Sequence, residues 1–284
     1  MRKYFFLFFV TLLTACSGPN KCDRKYIGQL QDQDNNLKIQ AAENLGKCGN
    51  AAALDPLSEL LAAQQPNVRL AGVKAISGIA GDNAIEPLAT TLEHDSSDTV
   101  RAAAATALNQ FQSADAEKPL MYAGLFDTSS LVRKAAVSAL GECCTIQQFP
   151  VIVSGDDGWD FPDDWNDPYG YTDTVVEIYG PAGQMQIDTA QVLLYIAQHD
   201  KDLATRVEAV RVLGLSTVDG IVPVLVNILT SDTEPKVRSM AAQSLGNIGD
   251  LDTQTVLEKT AEQDPDPTVK EAANLALSEL NERF

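Results

Sequence analysis

Apolar residues in this chain recur at three- and four-residue intervals in short bursts, and a polar knot divides each pair of bursts. Between Ala84 and Phe111 the first burst is Ile85, Leu88 and Leu92, the knot is Asp95-Ser96-Ser97-Asp98, and the second burst is Val100, Ala104, Leu108 and Phe111. Such spacing puts one apolar stripe on each of two helices. The Asp/Ser knot supplies residues that favour caps and turns. Pro87 sits early in the first burst, where a helix tolerates a missing N–H. The unit is two antiparallel helices joined by a tight turn.

The unit occurs seven times. A basic opener starts each second helix: Lys38, Arg69, Arg101, Arg133, Arg206, Arg238 and Lys270, at spacings of 31, 32, 32, 73, 32 and 32 residues. Three residues after each opener stands Ala or Gly (Ala41, Gly72, Ala104, Ala136, Ala209, Ala241, Ala273), small enough to let a neighbouring helix approach. Seven residues after it stands the expected core residue: Leu45, Ile76, Leu108, Leu140, Leu213, Leu245 or Leu277. Six residues before it stands Asp in every unit but the second, where Ala63 replaces it. Asp and Arg at these positions are the right types to pair and to satisfy free backbone groups at the turn, forming a ladder if the units stack. A period of this length is the signature of a stacked-repeat architecture.

The segments Asn67-Val68-Arg69-Leu70-Ala71, Asp98-Thr99-Val100-Arg101-Ala102-Ala103, Leu131-Val132-Arg133-Lys134-Ala135-Ala136 and Lys236-Val237-Arg238-Ser239-Met240-Ala241-Ala242-Gln243-Ser244-Leu245-Gly246 resemble the HEAT-repeat family. They are most similar to the short HEAT-like repeats of phycobilisome lyases. The resemblance implies an all-α, right-handed solenoid of the HEAT/armadillo type with about seven helix pairs. Repeats 1–4 would occupy 24–144 and repeats 5–7 would occupy 187–284.

The N-terminus reads Met1-Arg2-Lys3, an apolar run from Tyr4 to Leu13, and Leu13-Thr14-Ala15-Cys16. A basic start, a short apolar run and small residues before a cut describe an export signal over 1–15. The run is too short to span a bilayer. Leu-Thr-Ala-Cys resembles the bacterial lipobox, which implies that Cys16 carries the lipid and that 16–23 is a short tether. Ser17 after that cysteine implies, in a Gram-negative host, an outer-membrane protein facing the periplasm. The formal net charge is −18, and loss of Arg2 and Lys3 with the signal takes it to −20. So acidic a chain repels nucleic acid and anionic headgroups. Its membrane contact is expected through the lipid alone.

Four further cysteines remain. Cys48 and Cys143 fall ten residues after their openers, a slot filled elsewhere by Ile79, Phe111, Ile248 and Leu280, so core packing is expected of them. Cys22 begins the first helix of repeat 1 and Cys48 ends the second, neighbouring ends of a hairpin, which makes Cys22–Cys48 a candidate disulfide in an oxidising compartment. Cys143-Cys144 lacks zinc-site spacing.

The long spacing holds one repeat and 41 extra residues, the insertion at 145–186. Trp159, Trp165, Tyr169 and Tyr171 lie in it among Asp156, Asp157, Asp160, Asp163, Asp164 and Asp167. The runs Phe149–Val153 and Thr174–Tyr179 have strand composition, so a two-stranded excursion with an acidic aromatic tip is expected. Three readings stay open. The loop packs back on the solenoid; its aromatic residues bind a sugar or a protein; or its carboxylates hold calcium, although the EF-hand spacing is absent.

The two histidines, His94 and His199, occupy equivalent slots two repeats apart, too far to share a metal. HEAT-like deoxyhypusine hydroxylases use paired His-Glu motifs, whereas this chain has Glu93-His94 in reverse order. No phosphate loop or hydrolase elbow occurs. The expectation is therefore a lipid-anchored, non-catalytic scaffold that binds a protein partner in the cell envelope and needs no cofactor. A calcium- or glycan-binding module centred on the insertion is the alternative, and a lyase-type HEAT enzyme is the third reading. The row five residues after each opener (Glu43, Lys74, Thr106, Ser138, Arg211, Gln243, Leu275) varies where the structural rows do not, as a partner-reading face would.

Overall fold

A computed structural model describes residues 21–79, 81–143, 151–153, 185–187, 189–216 and 220–283. Repeat 1 pairs α1 (Lys21–Gln29) with α2 (Asn35–Cys48). In repeat 2 the first helix is a short α3 (Leu54–Glu59) between 3-10 turns at Ala51–Ala53 and Leu60–Ala62, followed by α4 (Pro66–Ser77). Repeat 3 pairs α5 (Ile85–His94) with α6 (Asp98–Leu108), and repeat 4 pairs α7 (Ala114–Phe126) with α8 (Ser130–Cys143). Repeats 5 to 7 are α9 (Thr189–His199) with α10 (Leu203–Leu213), α11 (Ile221–Ser231) with α12 (Pro235–Ile248), and α13 (Leu251–Gln263) with α14 (Pro267–Arg283). The fold is all-α, of the HEAT/armadillo solenoid type. Its helices form two compact units, residues 1–81 and 82–284.

Local chemistry sets the helix ends. Pro66, Pro235 and Pro267 open α4, α12 and α14, where no intrahelical N–H bond is lost. The side chains of Asp34, Asp202 and Asp250 cap α2, α10 and α13. Gly49 ends α2 with φ at 63°, a left-handed conformation that glycine adopts without a Cβ clash.

The small residues three after each opener are all buried, as are six of the seven core leucines and isoleucines. Leu277 is the exception and is half-buried, because no later repeat among the described residues covers it. Cys48 departs from the core slot foreseen for it and is exposed: α2 still runs through it, whereas α4 and α6 have ended before the buried Ile79 and Phe111.

The strand expectation holds at the end of its first arm, and a strand not foreseen pairs with it. Val151–Val153 is a strand, but its antiparallel partner is Met185–Ile187. Thr174–Tyr179 lies outside the described residues. The pair brings together two segments near the ends of the insertion.

Adjacent repeats are joined in two ways. The first is close helix approach at the residue eight after the opener. A Cβ on Gly46 would lie 2.8 Å from Ala75 Cα, one on Gly214 2.8 Å from Ser244 Cα, and one on Gly246 2.9 Å from Ala276 Cα. Each contact is with the next second helix, six residues after its opener. The second device is the ladder, and it reaches forward by one repeat. Arg101 grips the Asp127 carboxylate through Nε (2.8 Å) and Nη2 (2.9 Å) while its Nη1 donates to the Asp95 carbonyl of its own turn (2.8 Å). Arg133 does the same with Asp200 (2.7 and 2.8 Å) and the Asp127 carbonyl (3.0 Å), and Arg238 with Asp264 (2.9 Å twice) and the Asp232 carbonyl (2.9 Å). Each aspartate also accepts the backbone N–H two residues on, as Asp127 does from Ser129, Asp200 from Asp202 and Asp264 from Asp266. One carboxylate thus shapes its own turn and ties it to the repeat before. The Arg238 hydrogen bonds hold the Asp264 carboxyl below the usual range. Arg206 is a weaker rung, with single bonds of 3.2 Å to Asp232 and 3.5 Å to the Asp200 carbonyl, and its Nε is buried without a partner among the described residues. Lysine replaces arginine at Lys38, after which the equivalent aspartate is Ala63, and at Lys270, whose ammonium donates to the Glu262 carbonyl (2.8 Å).

Candidate functional site

With the ladder and the small-residue rows consumed by packing, the second helices still turn one row of side chains outward. Five residues after the openers, Glu43, Lys74, Thr106, Gln243 and Leu275 are exposed, and Ser138 and Arg211 are half-buried. Helical geometry requires this: positions three and seven after the opener point into the core, and position five lies off that stripe.

Where repeats 4 and 5 meet, the row becomes a polar cluster. Glu208 accepts from Arg211 Nε (3.2 Å) and Nη2 (2.7 Å) within α10. From α8, Ser138 hydrogen-bonds the same carboxylate and Lys134 adds its positive charge. Burial opposes ionisation of Glu208, but these bonds and charges outweigh it and hold the carboxyl below its usual range. Ser138 and Arg211 are the row's members in adjacent repeats, so two of its positions converge on one carboxylate. One repeat further on, the Ser239 hydroxyl oxygen of α12 is buried with no hydrogen-bond partner among the described residues. A fixed carboxylate, guanidinium, ammonium and hydroxyl on one face suit the amides and charged groups of a polypeptide. Sequence reasoning found the row but missed Glu208, which lies two residues after the opener, outside the repeating register.

Few of the chemically suggestive residues named from sequence are among the described ones. Cys16, Trp159, Trp165, Tyr169, Tyr171 and the six aspartates Asp156, Asp157, Asp160, Asp163, Asp164 and Asp167 fall outside the described residues. Cys22 is in the first turn of α1, its side chain outside the described set, and its candidate partner Cys48 ends α2. His94 is exposed, with Nε2 3.6 Å from Glu93. His199 is half-buried with its ring centre 5.0 Å from that of Tyr195, and burial pushes its pKa down. Among the described residues no three His, Cys, Asp or Glu side chains converge as a metal site would need, and no helix is long and apolar enough to cross a membrane.

The sequence model of HEAT repeats matches residues 25–109, 85–157 and 190–278. Deoxyhypusine hydroxylase of Saccharomyces cerevisiae is 34% identical over 98 residues, which are 33% of this chain and 30% of that protein. The match spans less than a third of that relative. The complex of CpcE and CpcF of phycocyanin lyase from Nostoc sp. is similar in structure, at 19% identity and a TM-score of 0.45 over 95% of this chain and 99% of that one. Human deoxyhypusine hydroxylase has 21% identity and a TM-score of 0.39, covering 93% and 86%. The expectation of a chain without enzymatic function is overturned by one relative: the yeast protein that it matches in sequence is an enzyme.

Proposed function

The chain belongs to the HEAT-repeat family, and from that premise we propose that it holds a partner polypeptide against the second-helix face of its repeats, with its N-terminus fixed to a bacterial membrane by a lipid on Cys16. The reading rests on one observation above all. Positions three, seven and, where the next repeat answers, the ladder repeat almost without change, while the outward row differs at every step. A row freed from packing that offers a different side chain per repeat can read a sequence laid along it. The Glu208 cluster and the unpartnered Ser239 hydroxyl support the same face.

A photo-crosslinking amino acid placed at Thr106, Ser138 or Gln243 should capture one polypeptide from cell-envelope fractions, and the same group at Glu86 on α5 should not. Equal capture from both faces, or none from the second helices, removes this reading. The anchor has its own test: Cys16→Ala should lose acyl labelling, and unchanged palmitate incorporation would sink it.

The yeast relative favours a second reading, a HEAT-repeat enzyme of the hydroxylase type acting on the polypeptide it holds. Purified protein incubated with the captured partner would then leave a covalent mass change on that partner. A partner mass that never changes argues for holding alone.

A further inference from the structure

The first helices carry a second surface, independent of the face discussed above. α11 reads Ile221-Val222-Pro223-Val224-Leu225-Val226-Asn227-Ile228-Leu229-Thr230-Ser231, apolar nearly all round. A helix of that kind is normally enclosed. Here Ile221, Leu225, Ile228 and Leu229 form the buried core stripe, whereas Val222 and Val226, one turn apart, stay half-buried. They line a cleft of about 590 Å³ together with Ile248 and Val256. A second cleft of about 320 Å³ continues from Val256 past Leu229 to Lys259. The groove runs between α11 and α13 for the length of α11, about 16 Å at 1.5 Å per residue.

The repeat register sets this opening against the joint between repeats 4 and 5. Val226 and Val256 stand twelve and fourteen residues before their openers. Between repeats 4 and 5 the same two slots hold Met121 and Val192, both buried. The longer methionine closes there what two valines leave open. Near the wide mouth, Leu215 and Leu251, sequence neighbours of the lining residues Ser216 and Asp252, are 57% and 60% exposed. The charge at that mouth is acidic, from Asp250 and Asp252, and Lys259 stands at the far end.

We infer that this groove receives an amphipathic helix of a partner protein, with an apolar stripe at three- and four-residue spacing and a lysine or arginine at the end that meets Asp252. The groove offers apolar walls in an i, i+4 register, the pattern by which helices are recognised in grooves. The chain's net charge of −18 favours a basic partner. The bound helix would lie parallel to α13. Its positive N-terminal end then faces Asp250 and Asp252, and its negative C-terminal end faces Lys259.

The probe is a fluorescein-labelled Leu/Lys helical peptide of about 18 residues, beside a scrambled peptide of the same composition with no stripe. Binding is read by fluorescence anisotropy on the full chain. The striped peptide should bind at least about tenfold more tightly than the scrambled one. Val226→Phe, which fills the groove without adding charge, should weaken it about tenfold. Val256→Asp should weaken it as well, although an added negative charge would strengthen purely electrostatic adsorption. Thr90→Asp, exposed on α5 of repeat 3 and outside both the groove and the second-helix row, should leave the affinity unchanged. Circular dichroism melts check that each variant is folded; if Val226→Phe is not, Val256→Asp and the two peptides still decide. Equal binding of both peptides, or insensitivity to both valine variants, overturns the proposal. So does concentration-dependent self-association abolished by those variants, which would make the occupant a second copy of this chain. Second-helix crosslinks lost at Thr106 and Ser138 would refute the function proposed above and leave this groove untouched.

Discussion

Removing Arg133 isolates what a ladder rung is worth. The Arg133 and Asp200 side chains are each 5% exposed, and the rung spans the insertion. Arg133→Ala deletes two charge-assisted bonds of 2.7 and 2.8 Å and leaves the Asp127 carbonyl without its 3.0 Å donor. It also strands a carboxylate that is almost out of water. Breaking one side of a buried pair costs about 3–5 kcal/mol. Asp200 keeps the N–H bond from Asp202, which places the expected loss near the lower end, about 3 kcal/mol. Arg206→Ala is the internal control. Its rung is a single 3.2 Å bond, its partners are 17% and 12% exposed, and its Nε is already unsatisfied. The expected cost is about 1 kcal/mol. Arg133→Lys should fall between the two, since lysine keeps the charge and loses the fork. Urea unfolding followed by circular dichroism gives the three differences. Equal losses for Arg133→Ala and Arg206→Ala, or the reverse order, would refute the claim that bidentate geometry and burial set the rung's strength.

Acid should unfold the protein in two stages, measured as urea midpoints against pH. His199 is held with a lowered pKa by burial, so its unfolded form takes up protons first, and stability falls as pH drops below about 6.5; His199→Gln should flatten that stage. Asp264, lowered by Arg238, contributes stability that is complete above its unfolded value of about 3.9 and lost as pH falls through its lower folded value; Arg238→Met should shrink this second stage. Gly214→Ala should cost about 1–3 kcal/mol, because its Cβ would meet Ser244 Cα at 2.8 Å, whereas Gly28→Ala, with open space in exposed α1, should stabilise by up to about 1 kcal/mol, both read from thermal melts. Leu140→Ala, fully buried in repeat 4, should cost about 2–5 kcal/mol, clearly more than Leu277→Ala at its half-buried position.

The repeat architecture was legible because its determinants are local in sequence: an opener, a small residue three later and a core residue seven later state the helix face directly. The insertion was legible as a count. What pairs with what was not. Arg101 and Asp95 share a turn, and proximity suggests they bond through their side chains. In fact Arg101 takes only the Asp95 carbonyl and reaches 26 residues ahead to Asp127. A clue was present, since lysine stands at the opener whose next repeat offers Ala63, but it carries meaning only once the forward reach is known. Cys48 was misplaced because Ile79 and Phe111 follow the ends of α4 and α6, whereas the longer α2 still contains Cys48. The Glu208 cluster was invisible because its members come from two helices joined through the insertion. The yeast relative overturned a conclusion drawn from missing motifs, which a sequence can never establish on its own.

The forward reach of the arginines bears on how such a chain changes its copy number. Repeats 4 to 6 each carry one half of the connector for the neighbour behind, the aspartate, and the other half for the neighbour ahead, the arginine. A tandem duplication of any one unit with both halves would arrive already fitted at both joints, with no compensating change in the flanking units. The intervening chain length is irrelevant to the joint, as Arg133 and Asp200 show by bonding across 67 positions of sequence. New segments can therefore accumulate between units while the lineage keeps its frame, and losing one unit closes the gap on an intact joint.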